Sequence, residues 1–137
     1  MRFMAGLLAV VMVGSALAQE AVEAPGGRVR VLDKLTGKTT DLDLSRGQSQ
    51  SVGRLTVSLQ ECRFPKNNPA SDSWMHLFIT DASAATPVFS GWMLASSPAL
   101  SALDNARYDV WVLGCVLPDG AVPAYEDTPD DTEGDDG

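Results

Sequence analysis

The chain has 137 residues, 45% of them hydrophobic and 20% charged, and a formal net charge of −8. The charge is concentrated at one end: Glu126 to Gly137 holds seven acids and no base, whereas Arg28 to Leu117 holds nine Lys and Arg against eight Asp and Glu. A folded part this close to neutral excludes a cation-seeking acidic surface and lacks the basic footprint of a nucleic-acid binder.

In chain order, residues 1–18 read as a secretory signal. Arg2 gives a positive start, Met4 to Val13 is apolar, and Ala16-Leu17-Ala18 supplies a small-residue cleavage site. The apolar run is shorter than the roughly 20 residues a spanning helix needs. Cleavage is expected before Gln19, and no cysteine follows there to accept a lipid. Residues 19–27, QEAVEAPGG, are predicted as a flexible lead-in.

Arg28 to Asp33 alternates, with Val29 and Val31 inward, and Thr39 to Leu44 alternates with Leu42 and Leu44 inward. The Thr36-Gly37 turn between them predicts a β-hairpin. Gln48 to Val52 is a short edge strand. Arg54 to Cys62 has the clearest alternation, with Leu55, Val57 and Leu59 on one face. Its parity puts Cys62 on the opposite face, so either a bulge intervenes or the strand stops near Gln60.

Arg63 to Ser73 is predicted as a long loop. Trp74 to Thr80 is a central strand expected to be covered on both faces. Val88 to Ala95 is the next strand. Ser97 is an N-cap and Pro98 a first helical residue, opening a turn that runs through Leu103 to Asp104-Asn105. Arg107 to Val116 is the last strand, with Tyr108, Val110 and Val112 on one face and Asp109, Trp111, Leu113 and Cys115 on the other.

The sum is an all-β domain, a small sandwich or barrel of about 6–8 strands with one short helix. The chain divides into a signal peptide (1–18), the lead-in (19–27), a β domain (28–117) and a disordered acidic tail (118–137). In an exported chain, Cys62 and Cys115 read as one disulfide, closing a loop worth about 4 kcal/mol in chain entropy.

Three stretches, VRVLDKLTGKTTDLDL, GRLTVSLQEC and FSGWMLASSPALSALDNARYDVWVLGC, together span Val29 to Cys115. They resemble an exported alphaproteobacterial family known as domain of unknown function 2155. The resemblance implies a small exported β domain and carries no activity, ligand or catalytic residue with it. The Arg63 to Ser73 loop and the acidic tail lie outside the resembling pattern.

The chemistry-bearing residues have structural readings close at hand. His76, the lone histidine, lacks partners at metal-ligand spacing. Ser90, Ser96, Ser97 and Ser101 form no nucleophile elbow. Asp33, Asp41, Asp43, Asp104 and Asp109 are the carboxylates a glycan hydrolase would draw on. No catalytic, metal or cofactor residue is expected, and no cofactor. The Ser90-Gly91-Trp92 step is the candidate binding site, because glycine inside a strand often marks a bulge or a close approach, and Trp74 and Trp111 are the other candidate aromatic anchors. The expected role is a periplasmic, non-enzymatic β domain that binds or stabilises an envelope protein or glycan, without nucleic acid and without a membrane span after cleavage. The alternative is a cell-envelope hydrolase using paired carboxylates.

Overall fold

Strands that alternate apolar and polar residues bury one face each, and two such sheets close over a shared core. The computed structural model describes residues 20–98 and 103–123. Within them run β1 (Ala21–Ala24), β2 (Gly26–Asp33), β3 (Thr39–Ser45), β4 (Ser49–Val52), β5 (Leu55–Pro65), β6 (Trp74–Asp81), β7 (Phe89–Leu94), β8 (Leu103–Asp104) and β9 (Tyr108–Val116). One sheet has the order β1-β5-β6-β7, with β4 also on β5; the other has the order β3-β2-β9-β8. All pairs are antiparallel. The fold is all-β as predicted, and of the two architectures expected, sandwich or barrel, it is the sandwich.

The core is filled by the expected inward faces. Val29 and Val31, Leu42 and Leu44, Leu55, Val57 and Leu59, and Val110 and Val112 are buried, and β6, for which no single inward face was predicted, adds Met75, Leu77 and Ile79. Each such side chain contributes about 1.5–3 kcal/mol relative to exposure. No helix of the described residues is long and apolar enough to cross a membrane.

The disulfide joins Cys62 to Cys115 with Cα atoms 5.7 Å apart, and so ties β5 of one sheet to β9 of the other. Both strands change parity to reach it. In β5 the register shifts between Leu59 and Glu61, which resolves the open question at Gln60 in favour of a bulge. In β9 the pairs Arg28↔Gly114 and Val29↔Val112 leave Leu113 as an extra residue. The expectation that Cys115 shares the face of Trp111 is therefore corrected: the bulge at Leu113 turns Cys115 into the core, where it is 1% exposed.

Further corrections concern connections. The lead-in is not loose: Ala21 to Ala24 pair with Pro65 to Cys62, and the chain then switches sheets at Pro25 to begin β2. Gly26 and Gly27 permit this corner. A Cβ on Gly26 would sit 2.5 Å from the Leu44 carbonyl oxygen, and one on Gly27 would sit 2.6 Å from Met75 Cε and 3.2 Å from Cys62 Sγ. β5 runs on to Pro65, so the connecting loop is shorter than predicted and begins at Lys66.

Leu103 and Asp104, predicted as the end of a helix, form β8 against Val110 and Asp109, because Leu103 is buried in the core. Residues 99–102 of that helical turn lie outside the described residues, as do the signal segment 1–18 and the tail from 124 on. The chain does not loosen at Pro118 as predicted. It turns back, with the Gly120 N–H donating to the Leu117 carbonyl and the Leu117 N–H donating to that of Ala121, both at 2.8 Å.

The far end of the sandwich is closed by Tyr108, which is 1% exposed. Its hydroxyl accepts the Arg54 N–H at 3.3 Å, and the Arg54 and Arg107 guanidinium groups approach its ring at 6.0 and 5.3 Å. Gly53 turns above it at φ 56°, where a Cβ would lie 2.4 Å from the tyrosine oxygen.

Candidate functional site

The outer faces of the two sheets differ. On the β3-β2-β9-β8 sheet, charges neutralise one another across strands. Arg28 forms a two-bond fork with Asp43 (2.7 and 3.1 Å), and Arg30 does the same with Asp41 (2.7 and 3.0 Å). These pairs are exposed and contribute about 0–1 kcal/mol each. Trp111 is half-buried beside Arg30.

The outer face of the β1-β5-β6-β7 sheet is aromatic. Because Met75, Leu77 and Ile79 point inward, Trp74, His76 and Phe78 point outward, and from β7 so do Ser90, Trp92 and Leu94. Cross-strand pairing sets these side chains in rows: Arg63, Trp74 and Leu94; Glu61, His76 and Trp92; Ser58, Phe78 and Ser90. In the middle row the His76 and Trp92 rings stack, with centroids 5.1 Å apart and planes 25° apart. The Arg63 guanidinium carbon lies 6.0 Å from the Trp92 ring and is held by an ion pair to Glu61. Trp92 remains 42% exposed and Phe78 37%. The expectation that the β6 strand is covered on both faces is corrected: its inner face is covered, its outer face is open.

The predicted Ser90-Gly91-Trp92 step sits on this face, at the sheet edge. Its pairing is regular, with Gly91 at φ 158°. Pairing from Ile79↔Phe89 to Trp74↔Leu94 shows no register shift, and a Cβ on Gly91 would meet only Phe89 Cζ, at 3.8 Å. Within the chain the glycine marks no bulge and no close approach, and the exposed group of the step is the indole. The loop from Lys66 to Ser73 is pinned beside β7 by Asp72, whose carboxylate accepts the Ser96 N–H at 3.0 Å and the Ser96 hydroxyl at 2.8 Å.

Sequence reasoning missed His76 and Phe78 as surface residues. The signal was present in WMHLFIT: once Met75, Leu77 and Ile79 are assigned inward, residues 74, 76 and 78 must share the other face.

The remaining chemistry is committed elsewhere. Among the described residues no three His, Cys, Asp or Glu side chains converge as a metal set. The Arg107 guanidinium donates to Asp33 and holds its carboxyl below the usual range, as Arg30 does for Asp41 and Arg28 for Asp43. Asp81 is lowered by the Ser83 hydroxyl and N–H, with Arg54 nearby. Asp109 pairs with Lys34 at 3.1 Å. A glycosidase acid needs a raised pKa, and the shifts of Asp33, Asp41, Asp43 and Asp81 run the other way. The side chain of Asp104 and all of Ser101 lie outside the described residues. A shallow cleft of about 230 Å³ opens near Pro25, Leu44 and Val116, but its charged groups, Arg28 and Asp43, are spent on each other.

An uncharacterized protein of Rickettsia prowazekii (strain Madrid E), RP359, is 25% identical over 92 residues, which cover 65% of this chain. The match spans 59% of that relative's length. No solved structure matches. The profile of one bacterial family covers residues 27–115, from the glycine packed against Met75 to the second half-cystine, and the chain belongs to that family, described as "Uncharacterized protein conserved in bacteria (DUF2155)".

Proposed function

We propose that the protein is exported, loses its signal before Gln19, and acts in the periplasm as a non-enzymatic β domain. Its role is to bind an envelope component, protein or glycan, through the outer face of the β1-β5-β6-β7 sheet. The observation that carries this reading is the exposed Trp92 indole, stacked on His76 and flanked by Arg63, with Phe78 open beside it. Large aromatics are ordinarily withdrawn from water, and those left on a surface are the common anchors of interfaces and sugar contacts. The disulfide fits an oxidising compartment. Among the described residues, the carboxylates of Asp33, Asp41, Asp43 and Asp109 are each engaged with a cation, which does not favour the hydrolase alternative.

The test is capture in the exporting cell. Wild-type protein crosslinked in place should retain an envelope component that the Trp92→Ala variant, equally folded and abundant, loses. Equal capture by both would refute the assignment to this face.

A further inference from the structure

Among the described residues β7 is the last strand of its sheet, and from Ser90 to Trp92 its outer edge has a definite hydrogen-bonding pattern. In an antiparallel ladder, alternate residues direct both backbone groups to one neighbour. The Ala95 N–H donates to the Ser73 carbonyl at 2.9 Å, which sets the phase. With the observed register, Phe89, Gly91 and Met93 face β6, while Ser90 and Trp92 direct their N–H and C=O groups outward. Among the described residues these groups have no partner. Edges are ordinarily blocked by charges, proline or bulges. The segment Phe89–Leu94 has no charge and no proline, and its pairing is regular.

We propose that this edge pairs with the same edge of a second copy of the chain. Outward rows of alternating N–H and C=O groups are matched by another extended backbone, and not by a glycan. A two-fold axis through Gly91 sets Ser90 opposite Trp92 of the second copy, and Trp92 opposite its Ser90. Each of these pairs exchanges two hydrogen bonds, so every open group of both residues is satisfied. Gly91 then faces its own counterpart at the non-hydrogen-bonded position, where Cα atoms approach to about 4.5 Å.

The side chains suit this register. Ser90 stands across from Phe78 on the outer face. The indole of the second copy would lie over the small serine and next to Phe78. Phe78 and Trp92 are two of the three exposed large hydrophobic residues among those described, and one contact, repeated by the two-fold, shields both. No like charges oppose each other along the edge. The two outer faces would join on one side of a continuous sheet; the seam would cover the Phe78 and Trp92 part of the binding face proposed above and leave its Arg63, Trp74 and His76 part away from the seam in each copy. The pairing does not depend on which envelope component binds there.

Sedimentation of the full mature chain over a range of micromolar concentrations tests the idea, with amide exchange as the site-specific readout. Wild type should dimerise, and the Ser90 and Trp92 amides should gain about tenfold or more protection as the dimer forms. Ser90→Pro removes an outward N–H without touching a β6 rung, and Ser90→Lys places a charge at the edge; both should be monomeric with unchanged melting temperature. If one variant fails to fold, the other carries the test. A wild-type monomer throughout the range, or a dimer that persists in a folded variant, would overturn the pairing. A monomer that still loses its envelope component on Trp92→Ala would overturn the pairing alone and leave the binding role standing.

Discussion

Removing the bridge with Cys62→Ala/Cys115→Ala is the perturbation whose magnitude follows most directly from the fold. The sulfurs join two sheets across the sandwich, and both cysteines are essentially inaccessible, at 0% and 1%. The sequence separation is 53 residues, so losing the cross-link returns about 4 kcal/mol of chain entropy to the unfolded state. That is a large share of the roughly 5–15 kcal/mol that holds a domain together. At about 4–8 °C per kcal/mol for a domain of this size, the melting temperature should fall by about 15–30 °C. Urea unfolding followed by tryptophan fluorescence measures the loss. The urea slope should rise as well, because an uncross-linked chain exposes more surface. A loss below about 1 kcal/mol with an unchanged slope would refute the view that the bridge acts chiefly by restricting the unfolded chain.

Gly26→Ala should cost more than Gly27→Ala, because the first Cβ meets a backbone carbonyl that cannot step aside, while the second meets the flexible end of Met75; overpacking of this kind costs about 1–3 kcal/mol or more, read by denaturant titration. Gly53→Ala combines a positive φ with a clash on the Tyr108 hydroxyl and should destabilise by about 1–3 kcal/mol in the same assay. For pH, the carboxyls of Asp33, Asp41, Asp43 and Asp81 are lowered in the folded state, so their contribution is present above the unfolded value of about 4 and is lost as pH falls through the lower folded values. Melting temperature should therefore drop on acidification below about pH 4, and a chain equally stable at pH 5 and pH 2 by calorimetry would contradict those pairings. Trp92→Ala should change stability by less than about 1 kcal/mol, since the ring is substantially exposed.

Much of the fold was legible because period-two patterning is a local property. Val29 and Val31, Leu55 to Leu59, and Tyr108 to Val112 each declared an inward face. The bulges were harder, since a single extra residue leaves composition untouched and flips parity beyond it. Cys62 and Cys115 each lay out of phase with its own strand, and the joint requirement that both reach one core was the available clue. β1 was hidden because AVEA between Glu20 and Pro25 is too short and too poor in large apolar residues to show a period. Leu103 was read with the preceding alanines as helix, whereas its burial opposite Val110 decided for strand. Of the candidate site, Trp92 was found through its glycine neighbour, although the β6–β7 pairing shows no bulge there. Its stacking on His76 depends on which β6 residues stand opposite β7, and that register is set by the whole sheet.

The central claim is that the face around Trp92 is where this protein meets the envelope. Photoreactive residues placed singly in the exporting cell, at Phe78 and Ser90 on that face and at Asp41 and Trp111 on the opposite sheet, test it most directly. The account predicts a common envelope adduct from Phe78 and Ser90 and none from Asp41 or Trp111. Adducts from the opposite sheet alone would contradict it.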